Sequence, residues 1–157
     1  MTVLPGTLEG LSAANANALD LLTRHPDFKH VDAQSLRALV ALGWERTFAL
    51  GEALMRQGEH SGNLFILLTG RVQVQHEAAG GQRLVVAELG AGEPVGEVSA
   101  LVDTEHHNSV IAQLDVRALE ISIKHAVELL NQDEPLRQAF HDIVQRRAQT
   151  GPARSWV

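Results

Sequence analysis

Residues 51–72 decide the fold; they read GEALMRQGEHSGNLFILLTGRV. The apolar runs in this stretch are short, the longest being 64–68, and glycines interrupt them at close intervals. Glycine favours turns because it adopts a positive φ without a Cβ clash, so these glycines are predicted to lie at strand ends. Short strands punctuated by glycine predict an antiparallel roll or barrel.

The same pattern continues on both sides of this stretch. Val72, Val74 and His76 alternate with polar residues, and residues 78–81 read as a hairpin turn. Further strands are predicted over 44–50, 53–56, 82–89, 109–114 and 116–121.

Helices are predicted at both ends of the chain, with the N-caps Ser12, Asp32, Ser122 and Asp133. The predicted fold class is therefore α+β: an antiparallel double-stranded β-helix, or β-roll of jelly-roll type, flanked by N-terminal helices and two C-terminal helices. A single domain over 1–157 is expected, with an N-terminal helical segment (1–43), the β-roll (44–121), the C-terminal helices (122–150) and a tail (151–157).

Composition fits a single globular domain and excludes several classes of function. The 157 residues are 45% hydrophobic with a net charge of −6, which argues against binding of DNA by this chain alone. There is no cysteine, so disulfides, thiolate metal sites and cysteine nucleophiles are excluded. Neither a signal peptide nor a long apolar run occurs, so we expect a cytoplasmic protein that does not contact a membrane.

The motifs in 51–59 and 63–72 resemble those of the cyclic-nucleotide-binding domain family, which includes the catabolite activator protein, the regulatory subunits of cyclic-AMP-dependent kinase and gated ion channels. The similarity continues into 95–101, VGEVSAL, which resembles the phosphate-binding cassette of that family. It spans the chain from about Phe28 to about Arg147. The resemblance implies a regulatory β-roll that binds a cyclic nucleotide.

The resemblance also implies which residues contact the ligand. Gly96 allows the backbone to approach the phosphate, and Glu97 accepts the ribose 2′-hydroxyl. Ser99 carries over as well, as does the backbone of Val98 and Ala100, since the N–H groups of a short helix can point at an anion.

The cassette departs from the family where an arginine is expected. The family reads P-R-x-x-T/S-V, whereas residues 105–110 read EHHNSV. The arginine position falls on His106, or on His107 if the register slips by one residue. Ser109 retains the hydroxyl that the family motif places there.

No Arg or Lys lies between Arg83 and Arg117. Loss of one partner from a buried charged pair costs about 2–5 kcal/mol, and His106, with an ordinary pKa near 6.5, is mostly neutral at pH 7. Weak affinity for cyclic AMP is therefore predicted. A basic residue delivered to the pocket from elsewhere, such as Arg71 or Arg83, would favour a ligand-binding sensor over a roll that binds no nucleotide.

Other chemistry finds little support in the sequence. The eight histidines are scattered and form no H-x-H pair, so no metal site is predicted. No dinucleotide fingerprint, P-loop or nucleophile elbow occurs, so we expect neither an enzyme nor a bound cofactor other than the cyclic nucleotide.

The last predicted helix carries an apolar stripe of Leu136, Phe140 and Ile143. Two interpretations stay open: the stripe covers the roll, or it forms the seam of a homodimer, as the family resemblance implies. Arg146 and Arg147 are expected on a solvated face. The expected partners are a nucleotide ligand and a second copy or another protein.

The predicted function is thus a regulatory module whose ligand moves the C-terminal helices, with weak or altered cyclic-nucleotide affinity. The alternative is a degenerate roll that binds no nucleotide and acts as a dimerisation or adaptor module.

Overall fold

The structure is a computed structural model, which describes residues 10–59, 63–96 and 108–148. The helices are α1 (Ala13–Arg24), α2 (Ala33–Ala41), α3 (Ile123–Gln132) and α4 (Glu134–Ala148), and a 3-10 turn spans Pro26–Phe28. The strands are β1 (Gly43–Phe48), β2 (Ala53–Met55), β3 (Asn63–Thr69), β4 (Val72–Glu77), β5 (Arg83–Leu89), β6 (Pro94–Val95), β7 (Ser109–Ala112) and β8 (Val116–Ser122).

The strands form two antiparallel sheets that face each other as a roll. Sheet A has the strand order β1-β8-β3-β6, and sheet B has the order β2-β7-β4-β5. The helices before and after the roll pack on the outer side of sheet A. The predicted α+β class and β-roll architecture are confirmed.

The middle of strand β3, residues 64–68, is apolar at every position because both faces of the strand are buried there. Leu64, Ile66 and Leu68 point towards the helices, whereas Phe65 and Leu67 point into the roll between the sheets. A strand buried on both faces needs a continuous apolar run rather than an alternating one. The sheet therefore separates two cores, one under the helices and one inside the roll.

Side-chain caps start three of the helices as predicted. Ser12 Oγ accepts from the Asn15 amide (3.1 Å), Asp32 Oδ1 from Ser35 (2.8 Å) and Asp133 Oδ1 from Leu136 (3.0 Å). Ser122 differs, because its side chain makes no capping bond within the described residues. It is also the last residue of β8, so the chain passes directly from strand into α3.

The apolar stripe on α4 lies in the core of the chain itself. Leu136, Phe140 and Ile143 are all fully buried, and Phe140 packs edge-to-face on Phe28 with 5.4 Å between ring centroids. The expectation that this stripe forms a dimer seam is wrong, because the 3-10 turn and the neighbouring helices already cover it. The other interpretation, that the stripe covers the roll, is the correct one.

Candidate ligand-binding site

Most of the predicted cassette lies outside the residues that the structure describes. This applies to Glu97, Val98, Ser99, Ala100, His106 and His107. The two ends of the cassette are described. Gly96 follows β6, and Asn108 precedes β7.

Gly96 occupies a position that only glycine can fill without strain. Its φ is +97°, and an added Cβ would lie 2.8 Å from the backbone oxygen of Asn63 and 3.0 Å from Cε of Met55. The positive φ and the close backbone approach both exclude a larger residue. The start of the cassette is therefore held tightly against the first residue of β3.

An ion pair between a buried carboxylate and a half-exposed arginine lies next to this glycine. The Glu120 carboxylate, whose side chain is 6% exposed, accepts from Arg46 Nη1 at 2.5 Å and from the side-chain amide of Asn63. Arg46 also lies over the ring of Phe48, with 5.2 Å from Cζ to the centroid. Arg46 and Glu120 thus connect β1, β8 and β3 close to the start of the cassette.

Strand register places this ion pair on the inner face of sheet A. Phe65 of β3 is directly opposite Glu120, and Arg46 of β1 is opposite Ala118. Phe65 and Ala118 both belong to the core between the sheets. Arg46 is therefore a cation that the fold brings to the inner face of the roll, where Glu120 neutralises its charge.

A second polar pair marks the other end of the cassette. Nδ1 of His76 and Oδ1 of Asn108 are 3.0 Å apart, and Asn108 is 3% exposed. Because Val74 is opposite Val110 in the register, His76 and Asn108 continue the inner face of sheet B. Of the two described residues that flank the cassette, Gly96 thus lies beside the Asn63–Glu120–Arg46 cluster, and Asn108 pairs with His76.

Comparison with known proteins identifies the family to which this domain belongs. The sequence profile of the cyclic nucleotide-binding domain matches residues 45–133, which include both polar clusters and the whole cassette. This chain belongs to the cyclic nucleotide-binding domain family. The recognition made from the glycine and cassette motifs is confirmed.

Curated relatives of this cyclic nucleotide-binding domain are much longer proteins. The lysophospholipase nte1 of Emericella nidulans is 39% identical over 64 residues, which are 41% of this chain and 4% of that protein. This chain therefore spans only a small part of the length of the curated relatives it matches.

Solved structures show the same fold. One is the regulatory subunit of a cAMP-independent protein kinase A from Trypanosoma brucei, in a mutant form bound to cAMP in the A site. It has a TM-score of 0.73 and 23% sequence identity, and the match covers 90% of this chain and 50% of that chain. The corresponding subunit from Trypanosoma cruzi, bound to guanosine, has a TM-score of 0.71 and 22% identity, with 88% and 48% covered.

Ser109 lies on the opposite face of sheet B from the inner pair. It is opposite Gln75 in the register, and its Oγ accepts the backbone N–H of Gln57 at 2.9 Å. A polar cavity of about 250 Å³ lies on this outer face, and Arg56 and Arg83 also line it. The hydroxyl of Ser109 thus supports the turn after β2, and it does not point into the roll of this cyclic nucleotide-binding domain.

Neither of the two arginines proposed as substitutes reaches the interior of the roll. Arg71 is exposed and contacts Glu88 at 3.5 Å. Arg83 is opposite Glu77 and belongs to the outer cavity. The hypothesis that Arg71 or Arg83 supplies the missing charge therefore gains no support.

The turn before the cassette carries a second charged network. Arg147 at the end of α4 donates to Glu93 Oε2 (2.9 Å) and to the Pro94 carbonyl (2.8 Å), and His25 lies 3.3 Å from the same carboxylate oxygen. Burial raises the pKa of Glu93, but the hydrogen bond from His25 and the charge of Arg147 outweigh burial and lower the pKa.

Arg147 is 1% exposed, so the expectation that it lies on a solvated face is wrong. Its neighbour Arg146 is about half exposed and pairs with Asp27. The helical spacing could not reveal this difference, because the partners of Arg147 are more than fifty positions away in the sequence.

The inner-face residues Arg46, Glu120 and Asn108 were not predicted from the sequence. The alternation of Val72, Val74 and His76 was sufficient to place His76 with the two valines. No local pattern indicated that Arg46 and Glu120 would meet. Within the described residues, no group of three ligating side chains could hold a metal ion, and no helix is long and apolar enough to cross a bilayer.

Proposed function

We propose that this domain is a regulatory module that binds a nucleoside or nucleotide inside the roll, with weak affinity for cyclic AMP. The ligand would lie against Gly96 and the following residues Glu97, Val98, Ser99 and Ala100, with His106 and His107 near the phosphate position. Ser109 is left out of this site, because its hydroxyl is bonded on the outer face of sheet B.

The observation that carries the proposal is the charge balance at the two ends of the cassette. Arg46 is already paired with Glu120, and His76 and Asn108 contribute polar groups without a permanent positive charge. The segment between Arg83 and Arg117 contains no Arg or Lys. A cyclic phosphate would therefore lack the guanidinium that the family motif supplies, at a cost of about 2–5 kcal/mol, or about 30-fold to several thousand-fold in affinity.

Two structural relatives support this interpretation. The T. brucei protein is the regulatory subunit of a cAMP-independent protein kinase A, and the form that holds cAMP is a mutant in which one substitution introduces an arginine. The T. cruzi subunit holds guanosine, a nucleoside without a phosphate. A site without a strong phosphate partner is consistent with a ligand of this kind.

Calorimetric titration of the wild type and three variants tests the proposal. The wild type and His106→Arg, with His107→Arg and Arg71→Lys as controls, are titrated with cyclic AMP, cyclic GMP and guanosine at pH 7.5. We expect His106→Arg to bind cyclic AMP at least about tenfold more tightly than the wild type, since it restores a permanent charge. Submicromolar binding of cyclic AMP by the wild type would refute the weak-affinity proposal.

The control variants separate a specific site from a general charge effect. Arg71→Lys should leave every affinity unchanged, because Arg71 lies on the exposed edge of the roll. If His107→Arg strengthens binding and His106→Arg does not, the register of the cassette is shifted by one residue. If neither variant gains affinity, the proposed cassette alignment is wrong.

Ligand binding is proposed to act on a partner through the C-terminal helices. A homodimer through α4 would have to use the polar face, for example Gln138 and His141, because the apolar stripe is buried. Sedimentation at tens of micromolar distinguishes the states: a 17.0 kDa species means that α4 forms no stable homodimer, and twice that mass supports one.

A further inference from the structure

The buried end of α4 points to a specific coupling residue. Arg147 is the largest fully buried side chain among the described residues, and it lies in the last turn of α4. Burying a guanidinium is costly unless charged and polar partners compensate it. In this chain the partners are Glu93 and Pro94, which immediately precede the cassette glycine Gly96.

The contacted segment belongs to the shortest described strand of sheet A. Strand β6 consists of Pro94 and Val95 only, and it pairs with β3 through Ile66 and Phe65. Proline has no N–H, so it cannot donate to the sheet. The bond from Arg147 to the Pro94 carbonyl adds to the backbone hydrogen bonds by which Gly92 and Glu93 pair with Leu67.

The N-terminal segment reaches the same carboxylate. His25, at the C-cap of α1, is 3.3 Å from Glu93 Oε2, and its side chain is buried. Three distant parts of the chain thus meet at Glu93: the end of α1, the entrance to the cassette and the end of α4. Movement of the cassette entrance therefore moves the Glu93 carboxylate, to which Arg147 of α4 is hydrogen-bonded.

We propose that Arg147 is a positioning residue that fixes the entrance of the ligand cassette and couples it to the end of α4. The role rests on the proposed function, because it concerns the same cassette. When the entrance closes on the ligand, the contacts of Arg147 with Glu93 and Pro94 tighten, so their loss weakens ligand binding. The last turn of α4 then changes position.

Hydrogen exchange tests the positioning role without any ligand. The Leu67 amide donates to the Glu93 carbonyl (3.0 Å) and the Gly92 amide to the Leu67 carbonyl (2.8 Å), so both report on the cassette entrance. The Leu119 amide, in the middle of β8, reports on global opening. Arg147→Met should accelerate exchange at Leu67 and Gly92 at least about tenfold more than at Leu119.

Arg146→Met is the matched control, because it removes an ion pair from the same turn at a half-exposed position. We expect it to change the exchange ratio less than about twofold. Equal acceleration at all three amides in Arg147→Met, or none, would overturn the proposal. Should Arg147→Met not fold, Glu93→Gln provides the same comparison, with an expected ratio of about threefold.

Cyclic AMP binding tests the coupling. In the His106→Arg background, adding Arg147→Met should weaken cyclic AMP binding about tenfold, whereas adding Arg146→Met should leave the affinity within about twofold. If His106→Arg binds and Arg147→Met has no effect on affinity, the coupling role is rejected. If His106→Arg does not bind at all, the proposed function fails, and the exchange measurement still decides the positioning role.

Discussion

Truncation of Phe140 is the most direct test of how α4 is used. The side chain is fully buried in the core under the helices and packs edge-to-face on Phe28 at 5.4 Å. Phe140→Ala removes most of a buried aromatic side chain, which typically costs about 3–5 kcal/mol because the cavity closes only partly. Loss of the aromatic pair accounts for about 1 kcal/mol of this sum.

Urea unfolding measures this cost, with His141→Ala as the control. His141 is the next residue of α4 and is exposed, so its truncation should change the free energy of unfolding by less than about 0.5 kcal/mol. Sedimentation should give the same mass for Phe140→Ala as for the wild type. A folded variant that loses less than about 1 kcal/mol and also falls from dimer to monomer would refute the core assignment.

Three further predictions concern the ligand site. Gly96→Ala should lower the free energy of unfolding by about 2 kcal/mol or more, because of the positive φ and the contact of the added Cβ with Asn63. Gly80→Ala should cost less in the same urea denaturation experiment, because its φ is also positive (+102°) but no described atom lies within 4 Å of its added Cβ. Arg46→Ala should destabilise more than Glu120→Gln, because it leaves a buried carboxylate without its cation; the reverse order in urea unfolding would contradict the burial argument. Glu93→Gln should lower the stability at pH 7 and progressively less at acidic pH, as measured by unfolding between pH 7 and pH 3.

The sign of the Glu93 prediction follows from the direction of the shift. The folded-state pKa is lowered, so the charged form is stabilised by folding, and this stability is present above the unfolded pKa. It is lost as the pH falls below the ordinary value of 4.5 towards the folded value. A difference between wild type and Glu93→Gln that grows on acidification would show that the carboxylate is not stabilised in this way.

Much of the fold could be predicted from short-range patterns. The hairpin at 78–81 forms as predicted, with the Ala78 amide bonded to the Gln82 carbonyl at 2.8 Å. The caps at Ser12, Asp32 and Asp133 also form, because each depends on residues only a few positions apart. The cassette was recognisable for the same reason: its glycine and the residues after it are contiguous.

The site itself could be predicted only in part. Gly96 was singled out by its motif, and its positive φ explains why glycine is needed there; its contact with a ligand stays a prediction. Ser109 was expected at the phosphate, but the choice of strand face depends on register. Because Val110 points inwards, its neighbour Ser109 must point outwards.

The sequence by itself determined most of the strands and helices, and which residues share a face of a strand. Periods of two and of 3.6 residues are set by backbone geometry, so they are visible without a partner. Only the tertiary structure decided what covers each face. It buried Phe140 under the 3-10 turn, paired Arg46 with Glu120 and buried Arg147 against Glu93. These contacts join residues that are distant in sequence, and their energies depend on burial and on the opposing charge, neither of which a local pattern contains.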